Sequence, residues 1–390
     1  VGRSNTERRL VRAIGAIVFV DTMFYAAIAP LLPTLAHELH LSKLSAGVMT
    51  ASYPIGTLLG ALPGGVLAAR AGPKFAVSAG LALLAVSTLA FGLLHSAVAL
   101  DAARIVEGVG GACSWAGGIA WLVAEAPPSR RGGLIGGALG AAIAGALLGP
   151  VVGTLATAVG RAPAFGAVVV LAFALIAEAL RLPSPPAGEG QGFGELLAVM
   201  RRPVVAGAMW LTVLPALVSG VLDVLGPLRL HRFGATAGAI GATFLVAAAV
   251  EGLVSPAVGR LSDRRGRLLP LRGGLAAATV VLLCFTLPTS TLPLAVVVVA
   301  IAATLGVFWA PGMALLSDLA ETVGLDQSLA AALMNLAWAG GQVIGSGAGG
   351  ALAKSTGDGL PMSLVAGLCA LTLLGLARTG PAVATSAPRA

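Results

Sequence analysis

Residues 19–33 read FVDTMFYAAIAPLLP. Apart from Thr22 and one carboxylate, Asp21, the run is apolar and suits a helix. A charge near the centre of a bilayer costs about 2.5–3.5 kcal/mol even on lenient insertion scales. Asp21 therefore marks either a segment that does not cross a membrane or a working group inside one.

The surrounding chain favours the second reading. Of its 390 residues, 57% are hydrophobic and 10% are charged, with a mean hydropathy of +0.95. A soluble domain carries about 25% charged residues, so this chain cannot cover a water-facing surface. Apolar runs of roughly 20 residues recur along the whole length, which excludes a single anchor on a soluble domain. They are too long and uniform for the alternating strands of a membrane barrel. The expected fold class is an all-α membrane protein: twelve transmembrane helices in two pseudo-symmetric six-helix halves. The spans fall at 11–35, 45–68, 75–95, 98–122, 133–158, 163–181, 203–228, 236–258, 270–289, 292–316, 328–352 and 359–378. The chain thus divides into an amino-terminal half (1–181), a cytoplasmic linker (182–202) and a carboxy-terminal half (203–390). In the linker, a Pro/Gly-rich start precedes FGELLAVMRR, which reads as a short interfacial helix. The first apolar run is long and lacks a small-residue cleavage site, so it is not read as a removable signal.

The net charge of +8 and the pI near 10.4 could suggest nucleic acid. Their distribution gives another explanation. With the amino terminus inside, the Lys and Arg residues fall on inside segments except Lys43, Arg161, Arg229, Arg232, Lys354 and the intramembrane Arg104. This is positive-inside topology with both termini cytoplasmic, and no nucleic-acid partner is expected. One inside loop, 317–327, carries Asp318, Glu321 and Asp326 and no base, but acids weigh little in that rule. Cys113, Cys284 and Cys369 lie in apolar runs and read as small packing residues. His37, Glu38 and His40 in HELH lack the H-E-x-x-H spacing and a third ligand, so no metal is expected. Nothing resembles a P-loop or a dinucleotide fold, so no cofactor is expected and the energy source is an ion gradient.

An internal repeat is visible. GGVLAARAGPKF follows the second span, and GRLSDRRGRLLP follows the eighth; both fit G-x-L-x-x-R-x-G. A duplicated six-span unit suits a transporter that rocks two halves about a central site. The second loop resembles the signature loop of the major facilitator superfamily, G-x-L-x-D-R-x-G-R-R/K, through Gly259, Leu261, Asp263, Arg264, Gly266 and Arg267. The first resembles it through Gly65, Leu67, Arg70, Gly72 and Lys74, with Ala69 in place of the aspartate. RIVEGVGGA looks like that family's R-x-x-Q-G-x-G motif, with Arg104 kept and Glu107 replacing glutamine. GALLGPVVG resembles its antiporter motif through Gly145, Gly149, Pro150 and Gly153. Within the superfamily, VDTMFYAAIAPLLP is similar to the first span of the vesicular amine branch of drug:proton antiporters. That resemblance implies Asp21 as an amine-binding carboxylate. The branch's later intramembrane acids are replaced here by Phe308, Trp309 and Asn335.

The candidate substrate- and proton-binding residues are Asp21, Tyr25, Arg104, Glu107, Trp115, Asp223, Trp309, Asn335 and Trp338. Intramembrane acids normally face water or a partner. Arg104 and Glu107 are one turn apart on one helix face, so they are either a structural pair or a proton-sensitive switch. Aromatic rings beside a carboxylate suit a lipophilic cation. The candidate gating residues are Arg70, Lys74, Gly145, Gly149, Pro150, Gly153, Gly259, Asp263, Arg264, Gly266 and Arg267. Gly341, Gly345 and Gly349 are the expected counterparts of the fifth-span glycines. The expected function is proton-coupled efflux of a lipophilic or cationic small molecule by a monomeric secondary transporter in a bacterial plasma membrane. Its partners are the substrate, protons and the lipid bilayer. A uniporter or symporter for a sugar, amino acid or organic acid is the rival. A membrane-embedded enzyme or sensor is a second rival, without a catalytic constellation to support it.

Overall fold

The computed structural model describes residues 2–125, 131–185, 193–266, 268–322 and 327–378. Among the described residues every regular element is a helix. The first half comprises α1 (Gly2–Ala26), α2 (Ile28–Glu38), α3 (Lys43–Arg70), α4 (Pro73–Leu93), α5 (Ala97–Glu125), α6 (Arg131–Val159) and α7 (Arg161–Arg181). A short α8 (Phe193–Met200) lies where the interfacial helix is expected. The second half comprises α9 (Pro203–Arg232), α10 (Ala237–Arg265), α11 (Leu268–Leu283), α12 (Thr291–Thr322), α13 (Gln327–Val343), α14 (Gly349–Thr356) and α15 (Gly359–Arg378). A π-helical segment, Ile344–Ala348, joins α13 to α14.

Apart from the short α8, the described helices form twelve rods. α1 and α2 are one rod broken at Ala27, because Pro30 offers no N–H to the carbonyl four residues back and its ring crowds it. The Ala27 N–H turns instead to Phe24 O at 3.2 Å. Ten described stretches are long and apolar enough to cross a membrane. The other two rods are α5, diluted by Asp101, Arg104, Glu107 and a run of glycines, and α13–α14, where the α-helix lasts 17 residues before the π segment. Two helices run well past the expected ends. α10 continues to Arg265 and not 258, so the second loop motif is helical up to its closing glycine. α12 continues to Thr322, so the acidic stretch starts on a helix and not in a loop. The side chains of Asp318 and Glu321, and the whole of Asp326, lie outside the described residues.

The duplication is written into the turns. Residues with positive φ are His40, Gly72, Gly160, Gly234, Gly266 and Gly357. They fall in the first, second and fifth connections of each half. Gly72 and Gly266 are the closing glycines of the repeated loop motif, with φ of 90° and 81°. A side chain there would strain the backbone, which gives that motif position a physical reason. Leu41 N–H bonds Ala36 O at 2.9 Å, and Ala235 N–H bonds Leu230 O at 3.1 Å. Both are six-to-one closures of a helix end. The next helices start alike: Ser42 Oγ accepts from Ser45 N–H, and Thr236 Oγ1 from Ala239 N–H.

Glycine sets how closely the rods approach. α3 and α5 meet backbone to backbone: a Cβ at Gly60 would lie 2.8 Å from Val109 Cα, and one at Gly108 would lie 2.7 Å from Thr57 N and strike the Tyr53 carbonyl. Gly108→Val should therefore destabilise the first half by about 3 kcal/mol, through overpacking that only backbone movement relieves. Gly166→Val, where the space is open, should leave stability unchanged. Thermal melts of the two detergent-purified variants check the contrast.

Candidate functional site

Asp21 does not face lipid. It is 2% exposed on the first rod. Tyr53 on α3 donates its hydroxyl to Asp21 at 3.1 and 3.0 Å, and Trp115 Nε1 on α5 donates at 3.2 Å. Gly111 leaves room for the carboxylate, since a Cβ there would sit 2.7 Å from Asp21 Oδ1 and 2.6 Å from the Tyr53 hydroxyl.

One turn along the same helix, Tyr25 crosses to the other half. It donates to Asp223 Oδ2 at 3.3 Å and accepts from Gln342 Nε2 at 2.6 Å. Three rings from both halves close around these groups. The Tyr25 and Tyr53 centroids are 4.9 Å apart, and Trp338 meets them edge-on at 5.3 and 6.2 Å. Asn335, Trp338 and Gln342 are spaced to lie on one face of α13. Asn335 is half-buried, and its Nδ2 has no hydrogen-bond partner among the described residues. The position of Trp309 lies on α12, but its side chain is outside the described residues.

Arg104 and Glu107 are both 0% exposed, with Arg104 NH1 3.7 Å from Glu107 Oε2. That distance makes an ion pair and not a hydrogen bond. All three Arg104 nitrogens and both Glu107 oxygens lack hydrogen-bond partners among the described residues. The guanidinium lies between the Tyr53 and Phe91 rings, at 5.8 and 5.9 Å from their centroids. Its charge reaches Tyr25, Asp101, Glu107 and Asp223. The pair is thus held in apolar surroundings, where each charge depends on the other.

The expected gating residues divide. Gly145, Gly149 and Gly153 on α6 press against the first rod: a Cβ at Gly149 would lie 2.7 Å from Met23 O, and one at Gly153 would lie 2.7 Å from Pro30 Cγ. Pro150, buried in the same turn, accepts at its carbonyl from the Thr154 hydroxyl at 2.8 Å. Gly341, Gly345 and Gly349 press in the same way against α9, the first rod of the second half. Lys74 Nζ bonds Leu182 O at 2.8 Å, which caps the end of α7 within its own half and not across the interface. Arg70 is exposed, Gly259 is half-buried on α10, and Gly266 ends that helix. The side chains of Asp263 and Arg264, and all of Arg267, lie outside the described residues.

A second polar cluster sits at the distal end of the bundle, opposite the linker. Asp358, between α14 and α15, binds Lys43 Nζ of the first half at 2.5 Å. It also binds Arg229 at 3.3 Å and Arg232, both from its own half. Burial would push its carboxyl up, but the hydrogen bond and charge of Lys43, then Arg232, hold it below the usual carboxylate range. Beside it, Gly47 on α3 meets the π segment so closely that a Cβ would lie 2.5 Å from Ser346 O.

Sequence reasoning passed over Tyr53, Gln342 and the Asp358 cluster. Tyr53 had a signal: the chain holds two tyrosines, and both stand in the site. Gln342 lay within a glycine-rich run that read as packing alone. The bases Lys43, Arg229 and Arg232 entered only as topology markers.

The family model described as Major Facilitator Superfamily matches residues 14–324 and 216–389. No curated protein matches the sequence. Among solved structures, the chain is similar to a bacterial homolog of the human lysosomal transporter Spinster in an inward-facing, unoccupied conformation. The TM-score is 0.72 at 17% identity, covering 97% of each chain. It is also similar to a D-xylose–proton symporter, with a TM-score of 0.74 at 17% identity, covering 95% of this chain and 97% of that one.

A carboxyl held below its ordinary value stabilises its pairing at every pH above that ordinary value, and the contribution is lost only as pH falls through the lowered one. The Lys43–Asp358 contact should therefore persist from pH 8 to about pH 5 and weaken only below about 3.9. Lys43→Gln should separate the distal ends at neutral pH. Arg232→Gln should tighten them, because Asp358 would then lose more on releasing Lys43. Distances between spin labels at Ser96 and Ser290, on exposed distal connections of the two halves, check the opposite signs.

Proposed function

The chain belongs to the Major Facilitator Superfamily, and from that premise we propose that this membrane transporter is a proton-coupled exporter of a lipophilic cation. The observation that supports the reading is Asp21: a carboxylate 2% exposed at the middle of the first rod, gripped by two donors and set beside Tyr25, Tyr53 and Trp338. A cation among these rings gains from their faces and from the carboxylate at once. Asp223 supplies a second acid from the other half.

Arg104 and Glu107 supply the proton step in this reading. Protonating Glu107 leaves Arg104 without its partner, and the guanidinium's charge then acts on Asp223 and Asp101 instead. A cation at those acids is disfavoured, and release follows. The proposed division is 1–181, 182–202 and 203–390, with the two halves rocking about the site. In this topology the linker end is cytoplasmic, the distal end is outside, and the arrangement described is closed to the outside. The membrane is a bacterial plasma membrane, and the monomer is the working unit.

Symport of a neutral polar solute is the second reading, favoured by the amides of Asn335 and Gln342 and by the likeness to the xylose symporter. Proteoliposomes with an imposed pH gradient separate the two. Uptake of labelled tetraphenylphosphonium, with xylose and an organic anion alongside, is expected for the cation alone; uptake of the sugar alone would replace the reading. Asp21→Asn should lower cation uptake by about tenfold or more, the worth of a charge-assisted contact. Glu107→Gln should leave the cation bound but make its movement indifferent to the pH gradient.

A further inference from the structure

The Tyr25 hydroxyl has one proton to give. A carboxamide nitrogen can only donate, and Gln342 Nε2 lies 2.6 Å from that hydroxyl. Gln342 therefore donates, Tyr25 accepts, and the hydroxyl's own proton goes to Asp223 Oδ2 at 3.3 Å. Gln342 Nε2 is itself 3.5 Å from the same oxygen, at the limit of a hydrogen bond. A helix of the second half thus dictates where a first-half hydroxyl points.

The backbone that carries the amide is held, while Gln342 Oε1 has no hydrogen-bond partner among the described residues. Gln342 is 2% exposed, and its backbone carbonyl accepts from Ser346 Oγ at 2.5 Å. Gly341 and Gly345 on either side lie against the Val213 and Leu217 carbonyls of α9. A Cβ at Gly220 would lie 2.9 Å from Gln342 Oε1 and 2.8 Å from Ser346 N. The π segment starts two residues later, and such segments concentrate at functional sites. Ser346 faces Gly47 of the first half, next to the distal cluster. The amide, the π segment and the distal contact therefore follow one another along one rod.

We propose that Gln342 is a positioning residue. It orients Tyr25 onto Asp223, and so holds the two halves together on the distal side of the site until Asp223 is neutralised. The groups around Asp223 are consistent with this. Tyr25 comes from α1 and Gln342 from α13, Arg104 of α5 acts from a distance, and Glu251 of α10 acts on Tyr25. The inference rests on the alternating-access reading above.

The test is a double-variant cycle with Tyr25→Phe and Gln342→Met, on a background with Cys113, Cys284 and Cys369 replaced by alanine. Spin labels at Ser96 and Ser290 report the distal separation, without substrate. Each single variant should lower the ratio of closed to open distal ends by about three- to tenfold. The double variant should do no more than Tyr25→Phe alone, because without the hydroxyl the amide has nothing to orient. Additive effects would make Gln342 a packing residue and overturn the proposal, as would an unchanged distribution in Gln342→Met. Gln342→Leu, which removes the donor without adding a charge beside Asp223, carries the same test should the methionine variant not fold. Because no substrate enters, failure of cation uptake would count against the transport reading, while additivity would count against Gln342 alone.

Discussion

The hydrogen bonds to Asp21 are the constraint on which the first half is built. A carboxylate away from water loses several kcal/mol of hydration unless neighbours replace it. Here the replacements come from two other helices, Tyr53 on α3 and Trp115 on α5. They reach the acid only if three rods converge without intervening side chains. Gly56, Gly60 and Gly64 on α3 and Gly108 and Gly111 on α5 allow that approach. The glycine contacts and the buried acid are therefore a single solution: small residues bring the donors in, and the donors make the acid tolerable.

The second half solves the same problem with different parts. Each half sets a row of glycines at four-residue spacing against its own first rod, and each first rod carries an acid. In the first half the row runs through Pro150. In the second, the row runs into a π segment. Both devices interrupt the regular backbone ladder. Beside each, a hydroxyl one turn further along donates to a backbone carbonyl: Thr154 to Pro150 O, and Ser346 to Gln342 O. The halves share an arrangement of rods, while the local irregularity that shapes each site differs.

The rods were legible because membrane helices must be apolar over a fixed length, and that requirement leaves a direct trace in composition. The repeated loop was legible because Gly72 and Gly266 need a backbone that other residues avoid. Asp21 and the Arg104–Glu107 pair stood out because charge is scarce in such surroundings. What escaped notice was carried by geometry. The polar reach of Tyr53 depends on α3 lying against α5. Gln342 depends on a π segment that no periodicity announces. Asp358 draws three bases from two halves whose meeting is a tertiary fact. A residue that looks like topology in sequence, such as Lys43, becomes a contact only when its partner's position is known.

Among the described residues the centre of the bundle holds more acids than bases. Asp21 and Glu107 are fully buried acids, Asp223 is a partly buried one, and Arg104 is the one fully buried base among the described residues, within reach of Glu107, Asp223 and Asp101. Arg104 can offset one acid at a time. With all three acids ionised, the region would hold surplus negative charge in a medium that tolerates little of it. In the proposed cycle that surplus is met either by protons or by a cation, and the two compete because they answer the same deficit. Coupling then needs no contact between proton and substrate. A proton at Glu107 frees the charge of Arg104 to act on Asp223, where it opposes a cation, and Tyr53 is the common neighbour of Glu107 and Asp21.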